Sequence, residues 1–141
     1  MRAFFDTNVL VYLFDDDAPA KKQRAQQLLA HEASLGQVLL STQVLQEFFV
    51  SVTRKLAEPM PVEDAARAVR RLSTFPIMQV DPTMILDAIA VSQKLGFSFW
   101  DALIVQAAIQ GGAVTLYSED MQHNQNVEGL RIVNPFLPQS Q

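Results

Sequence analysis

A single α/β domain on a mainly parallel central sheet is the fold this sequence predicts, and three observations carry the prediction. Its 141 residues suit one domain, enough to bury roughly two-thirds of the surface the unfolded chain exposes. Short apolar runs alternate along the chain with stretches of helical periodicity, the pattern of strands joined by helices. Acids recur where apolar runs stop, at Asp6 and Asp120, which is the edge where open α/β sheets place their ligands.

The elements follow in order. Ala3, Phe4 and Phe5 form a continuous apolar run, as in a strand buried on both faces, and the polar triplet Asp6, Thr7 and Asn8 cuts it off and starts a helix over residues 9–14. A turn at 15–19 leads into a helix over 21–34, with Ala25, Leu28, Leu29 and Glu32 at helical spacing and Gly36 as its stop. Residues 38–40 predict a short buried strand, and Ser41 and Thr42 offer caps for a third helix. There Leu45, Phe48, Phe49, Val52 and Leu56 make one wide apolar stripe. Glu47 falls opposite the stripe, between Val44 and Val50, and spacing alone expects it in solvent.

Pro59 and Pro61 break the chain before a helix over 62–72, whose Arg67, Arg70 and Arg71 share one face. Such a face is ordinarily a solvated one, and it is also what a phosphate-tracking surface looks like. Residues 77–80 predict a strand, and Asp81, Pro82 and Thr83 start a helix that runs to Leu95 before Gly96. The most apolar helix follows Phe99 and Trp100, with Asp101 in its first turn and Ser98 placed for a capping box. Gly111 and Gly112 end it; 113–117 predict a buried strand, 124–129 a loop and 131–133 a last strand. The domain is expected over 1–136, with a frayed tail over 137–141.

Composition narrows the chemistry. The chain has no cysteine, so disulfides and thiolate metal sites are excluded and a reducing cytoplasm is allowed. His31 and His123 are expected at the surface, far from any paired spacing such as HExxH, which argues against zinc. A net charge of -4 and a pI near 5.0 argue against nucleic-acid binding by bulk electrostatics alone. The uncharged run between Asp101 and Glu119 is interrupted by Gly111 and Gly112 and is expected to be buried helix, turn and strand rather than a membrane span. Asp6 breaks the N-terminal apolar run too early for a signal peptide.

Each acid alone has a structural explanation, since an Asp capping a helix contributes about 1 kcal/mol. Three such acids at corresponding boundaries, Asp6, Asp101 and Asp120, suggest a shared site if the strands run parallel. Clustered carboxylates repel, so a hard divalent cation with oxygen ligands is their natural partner.

The segments FFDTNVLVYLF at the start, QEF at 46–48, FWDALIVQAA at 99–108, LYSED at 116–120 and the later NPF together resemble the PIN-domain ribonucleases. Within that family they resemble the small toxins of VapBC-type toxin-antitoxin pairs, over nearly the whole chain. The resemblance implies an α/β/α sandwich and magnesium- or manganese-dependent cleavage of RNA. It implies an acidic quartet of Asp6, Glu47, Asp101 and Asp120 as catalytic and metal-holding residues. Asn8, Ser118 and Glu119 would support it, and Arg67, Arg70 and Arg71 would engage phosphates. It also implies that Glu47 points into a cleft rather than water, and further a homodimer and a cognate antitoxin, with no membrane. Two other phosphate chemistries begin with an acid after the first strand. A haloacid-dehalogenase-type phosphatase would need an acid where Asn8 stands, and a phospho-receiver would need a lysine after its last core strand, where 131–136 has none. A PIN-like module that binds RNA or protein without cutting is the remaining alternative.

Overall fold

Strand β1 (Arg2–Phe5) lies at the centre of the sheet, with Ala3, Phe4 and Phe5 buried. Parallel neighbours flank it: β2 (Val38–Ser41) on one side and β4 (Ala113–Tyr117) on the other. Beyond β2 lies β3 (Ile77–Met78), and beyond β4 lies β6 (Leu130–Val133), both parallel to their neighbours. Only β5 (Asn126–Val127) runs against its neighbour, so the six-stranded order is β3-β2-β1-β4-β6-β5. The chain thus steps outward from β1 to β3 and returns past β1 to β4. That reversal opens a crevice at the carboxyl ends of β1 and β4. This computed structural model describes residues 1–138, and 139–141 of the expected frayed tail lie outside the described residues.

Two expectations are corrected. The strand expected over 77–80 stops at Met78, because the Val80 amide is taken by Thr42 Oγ1 at 3.2 Å and Asp81 has begun to cap the next helix. The loop expected over 124–129 holds β5, which turns back onto β6 through Glu128 and Gly129, both at positive φ. Its strand has only two residues and one buried side chain, Val127, too little for an alternating pattern to show.

Six helices complete the described chain: α1 (Thr7–Tyr12), α2 (Pro19–Ser34), α3 (Thr42–Arg54), α4 (Val62–Leu72), α5 (Pro82–Leu95) and α6 (Phe99–Gln110). Side-chain caps start four of them where the sequence offers them: Asp6 for α1, Ser41 for α3, Asp81 for α5 and Ser98 for α6. In α3, Val44, Phe48 and Val52 are fully buried, and burying a side chain of this size contributes about 1.5–3 kcal/mol. Helix α6 is buried continuously from Ala102 to Ala108. No single helix among the described residues is long and apolar enough to cross a membrane.

The two glycines after α6 serve different needs. Gly112 adopts φ +78°, whereas at Gly111 a Cβ would collide with the Leu39 side chain. Gly111 is therefore required by space and Gly112 by backbone conformation. The close approach brings α6 down onto β2, so the opposite end of α6 is delivered to the carboxyl edge of the sheet.

Candidate active site: an acidic cleft at the carboxyl edge

Asp6 leaves the end of β1 with its side chain buried, 6% exposed. One carboxylate oxygen accepts the Thr7 amide at 2.7 Å and the other accepts the Ser118 hydroxyl at 2.8 Å. It caps α1 and is held from across the β1/β4 crevice as well. Ser118 is fully buried one residue past β4, and its hydroxyl donates to Asp6 at the end of β1.

Glu47 is the largest departure from what spacing alone expects. Its carboxylate accepts the Thr7 hydroxyl at 2.7 Å and the Gln43 amide at 3.2 Å, and it is half-buried in the cleft rather than solvated. The polar face of α3 is turned toward α1, whose first turn supplies the donor. Gln43 Nε2 also donates to the Trp100 carbonyl at 3.2 Å, tying α3 to the first turn of α6. On α6, Ser98 Oγ accepts the Asp101 amide at 3.1 Å, as the capping box predicts. Past β4, Asp120 accepts the Asn8 side-chain amide at 2.8 Å, and Asn8 Oδ1 accepts the Glu119 amide at 3.3 Å.

These segments converge. Asp6, Asn8, Glu47, Asp101 and Asp120 all line one cleft of about 630 Å³. Burial pushes the Asp6 carboxyl up to about 6; its bonds from Ser118 and Thr7 oppose the rise, and the charges of Glu47 and Asp101 add to it. Asp101 is raised by burial and by the charges of Asp120 and Glu47, against the lowering effect of Ser98. The cleft therefore resists holding its full negative charge without a cation.

The donor set fits a hard divalent ion in kind: it is all oxygen, carboxylate-rich and without thiolate or imidazole. Among the described residues no three His, Asp or Glu side chains stand close enough together to grip an ion as they are oriented. The separate tethers explain the spacing, since Asn8, Thr7 with Gln43, and Ser118 each hold a different carboxylate.

Other sequence-predicted residues are placed elsewhere. Glu119 does not line the cleft; Lys21 pairs with it at 2.5 Å and Tyr12 donates to it at 2.7 Å. Arg67 pairs with Asp64, and Arg67 and Arg71 line a separate groove on α4, with Arg70 exposed. None of the three arginines reaches the cleft. His31 and His123 are exposed, as expected. Sequence reasoning passed over Thr7, Gln43, Trp100 and Lys55, all in the cleft wall. Gln43 had a usable signal, one helical turn before Glu47 on the same face; Lys55 had none.

The sequence matches the PIN domain family over residues 3–127. No curated protein matches the chain. Among solved structures it is similar to a toxin-antitoxin complex from Klebsiella pneumoniae, at 25% identity and TM-score 0.71, covering 95% of this chain and 98% of that one. It is similar in fold to VapC20 of Mycobacterium tuberculosis, a Sarcin-Ricin loop cleaving toxin, at 23% identity and TM-score 0.66, covering 84% and 89% of the two chains. A further likeness in fold is to VapBC2 from Rickettsia felis bound to a DNA fragment from their promoter, at 17% identity and TM-score 0.67, with 94% and 97% covered.

Proposed function

The chain belongs to the PIN-domain family, and from that membership and its acidic cleft we propose that it is a metal-dependent endoribonuclease and the toxin of a toxin-antitoxin pair. The family match leaves no place for a haloacid-dehalogenase-type phosphatase or a receiver. One observation carries the catalytic reading: Asp6, Glu47, Asp101 and Asp120, from four separated segments, line the same cleft.

In this reading Asp6, Glu47, Asp101 and Asp120 hold magnesium or manganese, directly or through water. The ion, when bound, supplies an activated water and offsets charge on the phosphate under attack. Asp6 is the fixed member, because burial and its bonds to Ser118 and Thr7 leave it little freedom. Glu47 is oriented by Thr7 and Gln43, and Asp120 by Asn8. Asp101, raised by burial and then by its acidic neighbours Asp120 and Glu47, is suited to accept a proton from water beside the phosphate and so to orient the nucleophile. Its anchoring on Ser98 at the start of α6 keeps it at the cleft edge.

The solved toxin-antitoxin complex resembling this chain over nearly its full length supports a cognate antitoxin protein as partner, and the family resemblance supports a homodimer working in the cytoplasm. Arg67, Arg70 and Arg71 remain candidates for contacting RNA outside the cleft.

The deciding experiment is incubation of pure protein with end-labelled single-stranded and hairpin RNAs in magnesium, manganese or EDTA, with Asp101→Asn run in parallel. Metal-dependent cleavage that the variant lacks is the expected result. Cleavage that persists in Asp101→Asn points to a contaminating nuclease, and no cleavage by folded, metal-binding protein on any RNA favours a PIN-like module that binds without cutting.

A further inference from the structure

The chain's single tryptophan is not in its core. Trp100 is 62% exposed, the most exposed large apolar side chain of α6, yet it lines the same cleft as Asp6 and Asp101. Its ring is braced edge-on by Phe99, centroids 5.1 Å apart at 73°, and its carbonyl is held by Gln43. An exposed aromatic already braced by a neighbouring ring costs little entropy to use as a binding surface. Gln43 adds a second feature to the same wall. Two acceptors, Glu47 and the Trp100 carbonyl, fix its amide nitrogen, and its buried Oε1 is left without a hydrogen-bond partner.

Lys55 completes the set. It is the only basic residue lining the cleft, it is exposed, and among the described residues it pairs with no carboxylate. The cleft therefore offers a π-face, a single cation and a group of acids. A nucleotide carries matching parts in an uncharged flat base and an anionic phosphate.

Resting on the ribonuclease reading above, we propose that Trp100 is the stacking platform for an unpaired nucleobase beside the scissile phosphate. Lys55 contacts the phosphate backbone, and Gln43 positions the platform. Stacking on Trp100 needs an unpaired nucleotide, because a base inside a duplex has no free face to offer. Stacking tolerates every base, so Trp100 sets the requirement for an unpaired nucleotide more than the choice of sequence.

Because Trp100 is the only tryptophan, its fluorescence reports the contact directly. The titration uses labelled single-stranded oligoribonucleotide and its duplex form, in magnesium, on an Asp101→Asn background and alongside wild-type cleavage kinetics. The single strand is expected to quench the tryptophan and the duplex to leave it unchanged. Trp100→Leu should weaken binding about ten-fold, read by the anisotropy of the label, raise KM more than it lowers kcat, and keep the salt slope. Trp100→Phe should restore most of the loss. Lys55→Ala should weaken binding to all RNAs and reduce the salt slope by about one. Equal affinity of Trp100→Leu and its parent with wild-type cleavage intact would overturn this subsite alone, as would equal quenching by the duplex. Quenching by a protein partner but by no RNA assigns Trp100 to a protein interface instead. No binding and no cleavage of any RNA removes the ribonuclease reading and the subsite with it.

Discussion

Glu119 and Asp120 are neighbours in the chain and opposites in treatment. Lys21 pairs with Glu119 at 2.5 Å, Tyr12 donates to it, and Lys21 also lies over the rings of Tyr12 and Phe136. One residue on, Asp120 receives a single neutral donor, Asn8, and faces a cleft lined by four further carboxylates, Asp6, Asp15, Glu47 and Asp101. Lysine is thus within reach of this corner and is spent on the outer acid. Neutralising charge pins the loop at Glu119, whereas at Asp120 the charge is left unneutralised, the treatment expected of an acid at a functional site.

The comparison breaks first at Asp101. Asp101→Asn should lower the RNA cleavage rate by on the order of 10²–10³-fold in single-turnover assays while leaving the melting temperature close to wild type. A variant that unfolds instead would make Asp101 a structural acid like Glu119.

Asp6→Asn tests the opposite sign on stability. In metal-free protein at pH 7.5 it should raise unfolding free energy by about 2 kcal/mol, because it removes a buried charge and keeps an acceptor for the Thr7 amide. The sign follows from the titration. The folded carboxyl sits at about 6 against 3.8 when free, so across that window the folded state retains a proton that the unfolded state has lost. Stability contributed by this group is therefore greatest below pH 3.8, falls as pH rises through 6, and stays low above it. Urea titrations at several pH values should show this slope in wild type and its loss in Asp6→Asn; a slope shared by both assigns it to other groups.

Magnesium should act on the cleft and not on the outer pair. Saturating ion should raise the melting temperature of wild type and of Glu119→Gln alike, by an amount worth about 1–2 kcal/mol at 10 to 30 times the dissociation constant, and should do little for Asp6→Asn or Asp120→Asn. The smallest effect belongs to Glu119→Gln itself. Losing one partly exposed ion pair should cost about 0.5–1 kcal/mol, measured by denaturant midpoint, with cleavage retained.

Much of the fold was legible because its signals are local. The apolar run at Ala3 to Phe5, the caps Ser41, Asp81 and Ser98, and the largely apolar helix after Asp101 depend on chemistry within a few residues, and the structure places them where expected. The short strand β5 and the early end of β3 were not legible, since two-residue strands carry too little pattern and Val80 is diverted by Thr42 on another element.

For the site the division is sharper. The sequence by itself determined which acids stand at strand ends and first turns, because β-strand burial and helix capping leave those positions to polar residues. Helical spacing sent Glu47 to solvent, and only resemblance to known chains drew it into the cleft; its real surroundings, Thr7 and Gln43, come from two helices whose faces meet in three dimensions. The pairing of Glu119 with Lys21, the distance of the α4 arginines from the cleft, and the gathering of Trp100, Lys55 and Gln43 into one wall were likewise tertiary decisions. Spacing along a chain fixes which face of an element a side chain occupies, but the charge and shape that face meets are supplied by residues far away in sequence, through the order in which the strands assemble.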